Sequence, residues 1–225
     1  MSNNVPVVTI DGPSGAGKGT VAQLLAERLG YHLLDSGAVY RAAGLHALNQ
    51  GADLDSEESV MRTMETLDAG FLPSPSGVHV TLSGQDVTAE LRSEATASAA
   101  SKVAAMPKVR ASLLDEQRSF RVSPGLIADG RDMGTVVFPD ADLKVYLSAS
   151  SLVRAQRRAK QLKEKGMQVN MESLVRDIAA RDERDSSREC SPLVASADAL
   201  KIDSSDMPIA SVVDQIMSAL SAEVG

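Results

Sequence analysis

The chain has no tryptophan, three tyrosines and three phenylalanines, so aromatic side chains make up only 3% of its 225 residues. Few platforms therefore exist on which the bases of a single-stranded nucleic acid would stack. A single cysteine, Cys190, excludes an internal disulfide and a multi-cysteine zinc site, and it reads as a spectator thiol in a reducing compartment. The three histidines, His32, His46 and His79, are scattered without metal-ligand spacing. No uninterrupted apolar stretch approaches the length of a membrane span, and Met1-Ser2-Asn3-Asn4 has neither the basic nor the apolar region of a secretory signal. The expectation is a cytoplasmic protein with no membrane partner. Positive charge is also scarce: 23 Lys and Arg stand against 30 Asp and Glu, for a formal net charge of −7. That balance argues against a nucleic-acid-binding face, so the basic residues must act locally.

What the chain does have is a glycine-rich segment in a telling place. Gly12, Pro13, Ser14, Gly15, Ala16, Gly17, Lys18, Gly19 and Thr20 follow the apolar run Val5–Ile10 and open an amphipathic stretch carrying Val21, Leu24, Leu25 and Leu29. Closely spaced glycines let a backbone wrap an anion, with successive N–H groups and the positive end of the next helix aimed at phosphates. Lys18 adds a point charge for the outer phosphates of a nucleoside triphosphate. A purely structural turn has no need of a lysine, or of four glycines in nine residues. The hydroxyl residue usually placed directly after the lysine is replaced by Gly19, with Thr20 one step later, which leaves direct magnesium ligation there open.

At 43% hydrophobic residues the chain can bury a substantial core as one domain with insertions. Short apolar runs at Val5–Ile10, Tyr31–Leu34, Gly125–Ala128, Leu143–Leu147 and Ala199–Ile202 alternate with 3.6-periodic stretches, the last of them Ile209, Val212, Val213, Ile216, Met217 and Leu220 after Pro208. The pattern predicts an α/β fold, a parallel sheet with helices on both faces, whose site lies at the carboxyl ends of the strands. Two segments break it. Between Phe71 and Arg92, Val78–Leu82, a turn at Ser83–Asp86 and Val87–Ala89 predict a small antiparallel insert. From Arg154 to Lys165, six basic residues (Arg154, Arg157, Arg158, Lys160, Lys163 and Lys165) face a single acid, Glu164. Such a run is either a solvated helix face or a lid whose guanidinium groups close on transferring phosphates.

Other candidates sit where loops should follow strands. Asp35-Ser36-Gly37 precedes Tyr40-Arg41, so Ser36 and Arg41 are in reach of one ligand. After Ala128 comes Asp129-Gly130-Arg131-Asp132, in which Asp129 suits a metal or metal-bound water, Arg131 suits an anion and Asp132 offers a hydrogen-bond acceptor. Arg181, Asp185 and Arg188 are spaced by four and three residues on one helix face, where spacing alone favours a ladder of ion pairs.

Together, Gly12 to Thr20, Leu34-Asp-Ser-Gly-Ala-Val-Tyr-Arg41, Ile127-Ala-Asp-Gly-Arg-Asp-Met-Gly-Thr135 with Val136-Val-Phe-Pro-Asp140, and Arg181-Asp-Glu-Arg-Asp185 resemble the bacterial cytidylate kinases across essentially the whole chain. The resemblance implies a P-loop nucleoside monophosphate kinase fold in a single domain. Its core would comprise residues 1–62, 103–153 and 186–225, with a monophosphate-binding insert at about 63–102 and an arginine-rich lid at about 154–185. It implies ATP as donor, bound by residues 12–20, and CMP or dCMP as acceptor. Ser36, Arg41, Arg131 and Arg188 would surround the monophosphate, Ser101, Arg110 and Asp132 would read cytosine, and Asp185 would hold the ribose. Lys18, Arg131, Arg181, Arg188 and the lid arginines Arg154, Arg157 and Arg158 would act on the migrating charge, with Mg2+ near Asp129 and Thr20, directly or through water. A monomer is expected. The alternatives are a P-loop kinase for another small acceptor such as UMP, adenylate or a sugar, and a nucleotide-dependent switch. The absence of an Asn-Lys-x-Asp guanine-reading motif and the clustered arginines weigh against the switch.

Overall fold

The computed structural model describes residues 5–74, 77–164, 166 and 168–224, so Met1–Asn4 and Lys165 of the basic run lie outside the described residues. The chain forms two compact units, residues 1–32 with 121–225, and residues 33–120. A five-stranded sheet has the order β2-β6-β1-β7-β8. Its strands are β1 (Val7–Asp11), β2 (His32–Asp35), β6 (Leu126–Gly130), β7 (Leu143–Ser148) and β8 (Leu200–Asp203), each on one of the five apolar runs. β1 pairs in parallel with β6, Ile10 opposite Asp129, and with β7, Ile10 opposite Val145, while β7 pairs in parallel with β8. Every residue of β1 is buried, as expected of a central parallel strand covered on both faces. In the first unit the sheet is accompanied by α1 (Lys18–Leu29), α6 (Ser151–Glu164), α7 (Met171–Ser187) and α8 (Ile209–Val224). Val212, Val213 and Ile216 are the buried stripe of α8, whereas Ile209 at its start stays exposed.

The second unit is built on α2 (Ser36–Asn49), α3 (Glu57–Met64), α4 (Glu94–Val103) and α5 (Pro107–Ser119), with a three-stranded sheet in the order β3-β4-β5. Ala38, Ala42 and Leu45 of α2 pack with Val80, Leu82, Val87 and Leu91, and Phe71 and Val78 close that cluster. The antiparallel insert differs in detail from the reading of its sequence. β4 (Gly77–Leu82) pairs mainly with β3 (Ala69–Ser74), a strand whose Gly70 and Pro73 read as loop, and β5 is only Gln85–Asp86. The turn is the two-residue Ser83-Gly84, both at positive φ (48° and 76°), which suits the right-handed twist of a tight hairpin. Val87 then continues with one hydrogen bond to Val80 O, 2.9 Å, before the chain turns into a 3-10 turn at Glu90–Arg92.

Candidate active site

The carboxyl ends of β1, β6, β7 and β8 carry the polar groups of the first unit. β1 runs into Gly12, which must be glycine because a Cβ there would lie 2.0 Å from the Leu147 carbonyl oxygen. The loop ends on Gly17, at φ 96°, and α1 starts at Lys18. Lys18 is buried, its Nζ donating to Pro13 O at 3.2 Å and standing 3.6 Å from Asp129 Oδ1. Two arginines of α6 reach the same loop. Arg154 donates to Ser14 O at 3.1 Å, and Arg157 donates to Ala16 O at 3.1 Å and to Ser204, whose hydroxyl also donates to Ala16 O at 3.0 Å. The basic run therefore splits by environment: Arg154 is buried, Arg157 and Arg158 are half-buried, and Lys160 and Lys163 are exposed on the solvated face.

Sequence reasoning overlooked Asp11, at the end of β1. Its two carboxylate oxygens accept the backbone N–H groups of Met133 and Gly134, each at 2.8 Å, and so anchor the π-helical turn Met133–Val137 that follows Asp132. Burial pushes the Asp11 carboxyl up to about 6, with Asp132 nearby adding to the rise, while the two N–H groups and Lys18 oppose it. An acid ending an apolar strand immediately before the glycine loop was the available signal. Asp132 is buried at the amino end of this turn, and Asp129 sits near Lys18 with its side chain 13% exposed.

Arg131 turns its Nε to Asp185 Oδ2 at 2.8 Å. Burial raises the Asp185 carboxyl, but Arg131, by charge and hydrogen bond, with Arg181 and Arg188, outweighs it and leaves Asp185 below the usual carboxylate range. The ladder expected of Arg181, Asp185 and Arg188 is thus a convergence of guanidinium groups on one buried carboxylate. Arg188 is not a helix-face residue: α7 stops at Ser187, and Arg188 leaves it at ψ 134° with its Nε on Asp185 O at 3.3 Å.

Ser36, Arg41, Ser101 and Arg110 all belong to the second unit. Ser36 Oγ, buried at the start of α2, donates to Gln117 Oε1 at 2.8 Å, and Arg41 pairs with Asp35 at 3.0 Å. Asp35 also caps α2 by accepting from Ala38 N at 2.9 Å. Arg110 is buried, its Cζ 5.2 Å from the centroid of the Tyr40 ring, an arrangement that holds a guanidinium by cation–π attraction. Ser101 Oγ is buried and, among the described residues, has no hydrogen-bond partner. A buried hydroxyl in that condition is costly unless a ligand completes it. Gln117 and Tyr40 had no assigned role in the sequence reading, since only the fold brings them beside Ser36 and Arg110.

A parallel sheet with a glycine loop after its first strand, a buried lysine opening the next helix and arginines gathered at the strand ends defines a P-loop phosphotransferase-type protein. The family described as cytidylate kinase matches residues 8–222. A cytidylate kinase of Aeromonas salmonicida is 52% identical over 225 residues, covering 100% of this chain and 98% of that one. One from a Shewanella species, strain MR-4, is 55% identical, covering 95% and 94%. Among solved structures, an uncharacterized protein of Eubacterium ventriosum shares the fold, with a TM-score of 0.52 at 12% identity over 97% of this chain and 99% of its own. The chain belongs to the cytidylate kinase family.

Proposed function

We propose that the protein transfers the terminal phosphate of ATP to CMP or dCMP, releasing ADP and CDP or dCDP. The observation that carries this reading is the gathering of buried Lys18 on the glycine loop with Arg131, Asp132 and the Arg181–Asp185–Arg188 group in one unit of a cytidylate kinase family member. An oxygen of the acceptor phosphate attacks the outer phosphorus of ATP in line. The new P–O bond forms as the bond to the bridging oxygen breaks, and the electron pair leaves on ADP. No general base is needed, because the attacking phosphate is already anionic. Lys18 and the loop amides hold the donor, Arg41 and Ser36 the acceptor phosphate, and Arg131, Arg181, Arg188 and Arg158 stabilise charge spread over the equatorial oxygens.

Ser101, Arg110 and Asp132 are assigned to the cytosine. The unsatisfied Ser101 hydroxyl supports a polar ligand there, and Asp132 accepting from the exocyclic amine would set two acceptors against each other if uracil took its place. Asp185 is assigned to the ribose. The oxygen donors beside Lys18 fit a magnesium ion: Asp129 and the exposed Thr20 at the head of α1 would hold it, directly or through water. Bound there, it neutralises charge on the outer phosphates of ATP. Residues 63–102 act as the monophosphate-binding insert and 154–185 as the lid, and closing them excludes water from the donor. Among the described residues no helix is long and apolar enough to cross a membrane, which is compatible with the cytoplasmic, monomeric enzyme proposed.

The test is steady-state ADP formation from magnesium-ATP with each common nucleoside monophosphate and its deoxy form offered separately. Strong turnover with CMP and dCMP and much weaker turnover with UMP is the expected result. ATP binding with no stimulation by any monophosphate would overturn the acceptor assignments.

A further inference from the structure

Arg154 differs from the other basic residues of α6 in having nothing left to offer a ligand. A guanidinium carries five N–H donors. Here Nε donates to Ala149 O at 2.9 Å, Nη1 to Ser14 O at 3.1 Å and to Asp182 Oδ1 at 3.0 Å, and Nη2 to Ser151 Oγ at 3.1 Å and to Asp182 Oδ2. The side chain is 4% exposed. Its stem also lies under the loop: a Cβ on Gly15, at φ 81°, would stand 3.1 Å from Arg154 Cβ. The glycine at position 15 therefore makes room for this arginine as well as supplying an unusual backbone angle.

Peptide geometry says what the contact with Ser14 does. In a trans peptide the carbonyl of one residue and the N–H of the next point in opposite directions. Holding Ser14 O toward α6 therefore aims the N–H of Gly15 to the other side of the loop. The same holds at one further place: Arg157 with Ser204 takes Ala16 O, which turns the N–H of Gly17. Two loop carbonyls are thus held by arginines of α6 and a hydroxyl, leaving the N–H groups of Gly15 and Gly17 aimed at the opposite face as an anion nest.

We propose that Arg154 is a positioning residue for the donor nucleotide: clamped by Asp182 of α7, it braces the Ser14 carbonyl so that the loop amides are set for phosphate before ATP arrives. Asp182 is the further member of this device, a residue with no role on the nucleotide itself. The inference rests on the reading of the chain as an ATP-dependent kinase and refines it, since it removes Arg154 from the arginines that touch the transferred phosphate and assigns that contact elsewhere in the lid.

The experiment is the affinity for magnesium-ATP, measured by titration calorimetry on the full chain, for the unaltered protein, Arg154→Lys, Asp182→Asn and the double variant. CMP affinity and thermal midpoint are recorded alongside. Both single variants are expected to weaken ATP by roughly ten- to a hundredfold, the scale of a small misplacement of a binding group. CMP affinity should stay within about twofold, and the double variant should bind no more weakly than the worse single one. In turnover the loss should fall on KM for ATP, with kcat at saturation within a few-fold. Asp182→Glu keeps the carboxylate and should recover most of the ATP affinity that Asp182→Asn loses; if Asp182→Asn does not fold, this variant and Arg154→Lys decide. Unaltered ATP affinity in folded Asp182→Asn, or a loss in Arg154→Lys confined to kcat, would overturn the proposal. Failure of the unaltered protein to bind ATP would instead remove the kinase reading beneath it.

Discussion

Replacing Arg131 with alanine separates catalysis from folding, because the structure bounds the two losses differently. Arg131 and Asp185 meet at 2.8 Å with side chains only 19% and 9% exposed, so the replacement strands a carboxylate in a place water scarcely reaches. Breaking a buried pair with nothing to compensate costs about 3–5 kcal/mol. Here Arg181 and Arg188 also lower the Asp185 pKa, so the loss should be nearer that of one charged hydrogen bond, about 1.5–3 kcal/mol. Against a usual stability of about 5–15 kcal/mol, nearly every molecule remains folded. An arginine acting on a transferring phosphoryl group contributes roughly a factor of 10³–10⁵ in turnover, which is about 4–7 kcal/mol of barrier. Urea unfolding and coupled ADP release on the same preparation should therefore show a modest shift in midpoint and a turnover loss of at least about a thousandfold. Arg131→Ala with Asp185→Asn removes the stranded charge, and should recover stability without recovering turnover. The acid limb supplies a further check. Asp185 has a lowered folded pKa, so its contribution is present above the ordinary carboxylate pKa and lost as pH falls through the lowered one. In Arg131→Ala that loss should begin at higher pH. A folded Arg131→Ala protein with turnover close to the unaltered enzyme, or a loss that only tracks the unfolded fraction, would refute the assignment.

Gly12→Ala should be severe, since the new Cβ would lie 2.0 Å from Leu147 O and φ is 150°. Overpacking of about 1–3 kcal/mol and backbone strain of about 1–3 kcal/mol should appear as a large fall in thermal midpoint; a midpoint near that of the unaltered protein would show that the loop and β7 are not pressed together. Asp11 has a folded pKa near 6 against an ordinary 3.8, so its contribution to stability is full below the ordinary value and is lost as pH rises through about 6. Asp11→Asn cannot titrate, and its urea midpoint should lack that decline, a difference on the order of 3 kcal/mol between the two ends of the window. Parallel pH curves for the two proteins would contradict the buried, proton-hungry environment assigned to this carboxylate.

The five strands of the main sheet were legible because each is a short apolar run and a covered parallel strand needs nothing more. β3 was not, because Ala69-Gly70-Phe71-Leu72-Pro73-Ser74 carries two residues that usually end strands. At the margin of its sheet, and facing only β4, the segment tolerates a proline that cannot donate, and its packing comes from Phe71 against α2 and its neighbours. The glycine loop and Lys18 announced themselves through local spacing, since every group involved lies within nine residues. Asp11, Asp182, Ser204 and Gln117 did not, because what each does is defined by a partner distant in sequence: a turn beginning at Met133, the guanidinium of Arg154, the carbonyl of Ala16 and the hydroxyl of Ser36. The basic run from Arg154 onward shows the limit most sharply. On paper its arginines were equivalent candidates for the transferred phosphate. Burial and donor geometry make them unequal, turning Arg154 inward with every N–H engaged and leaving Lys160 and Lys163 in solvent. Charge in a sequence identifies which residues are available to an anion. Whether they touch it depends on which acceptors the fold has already placed around them.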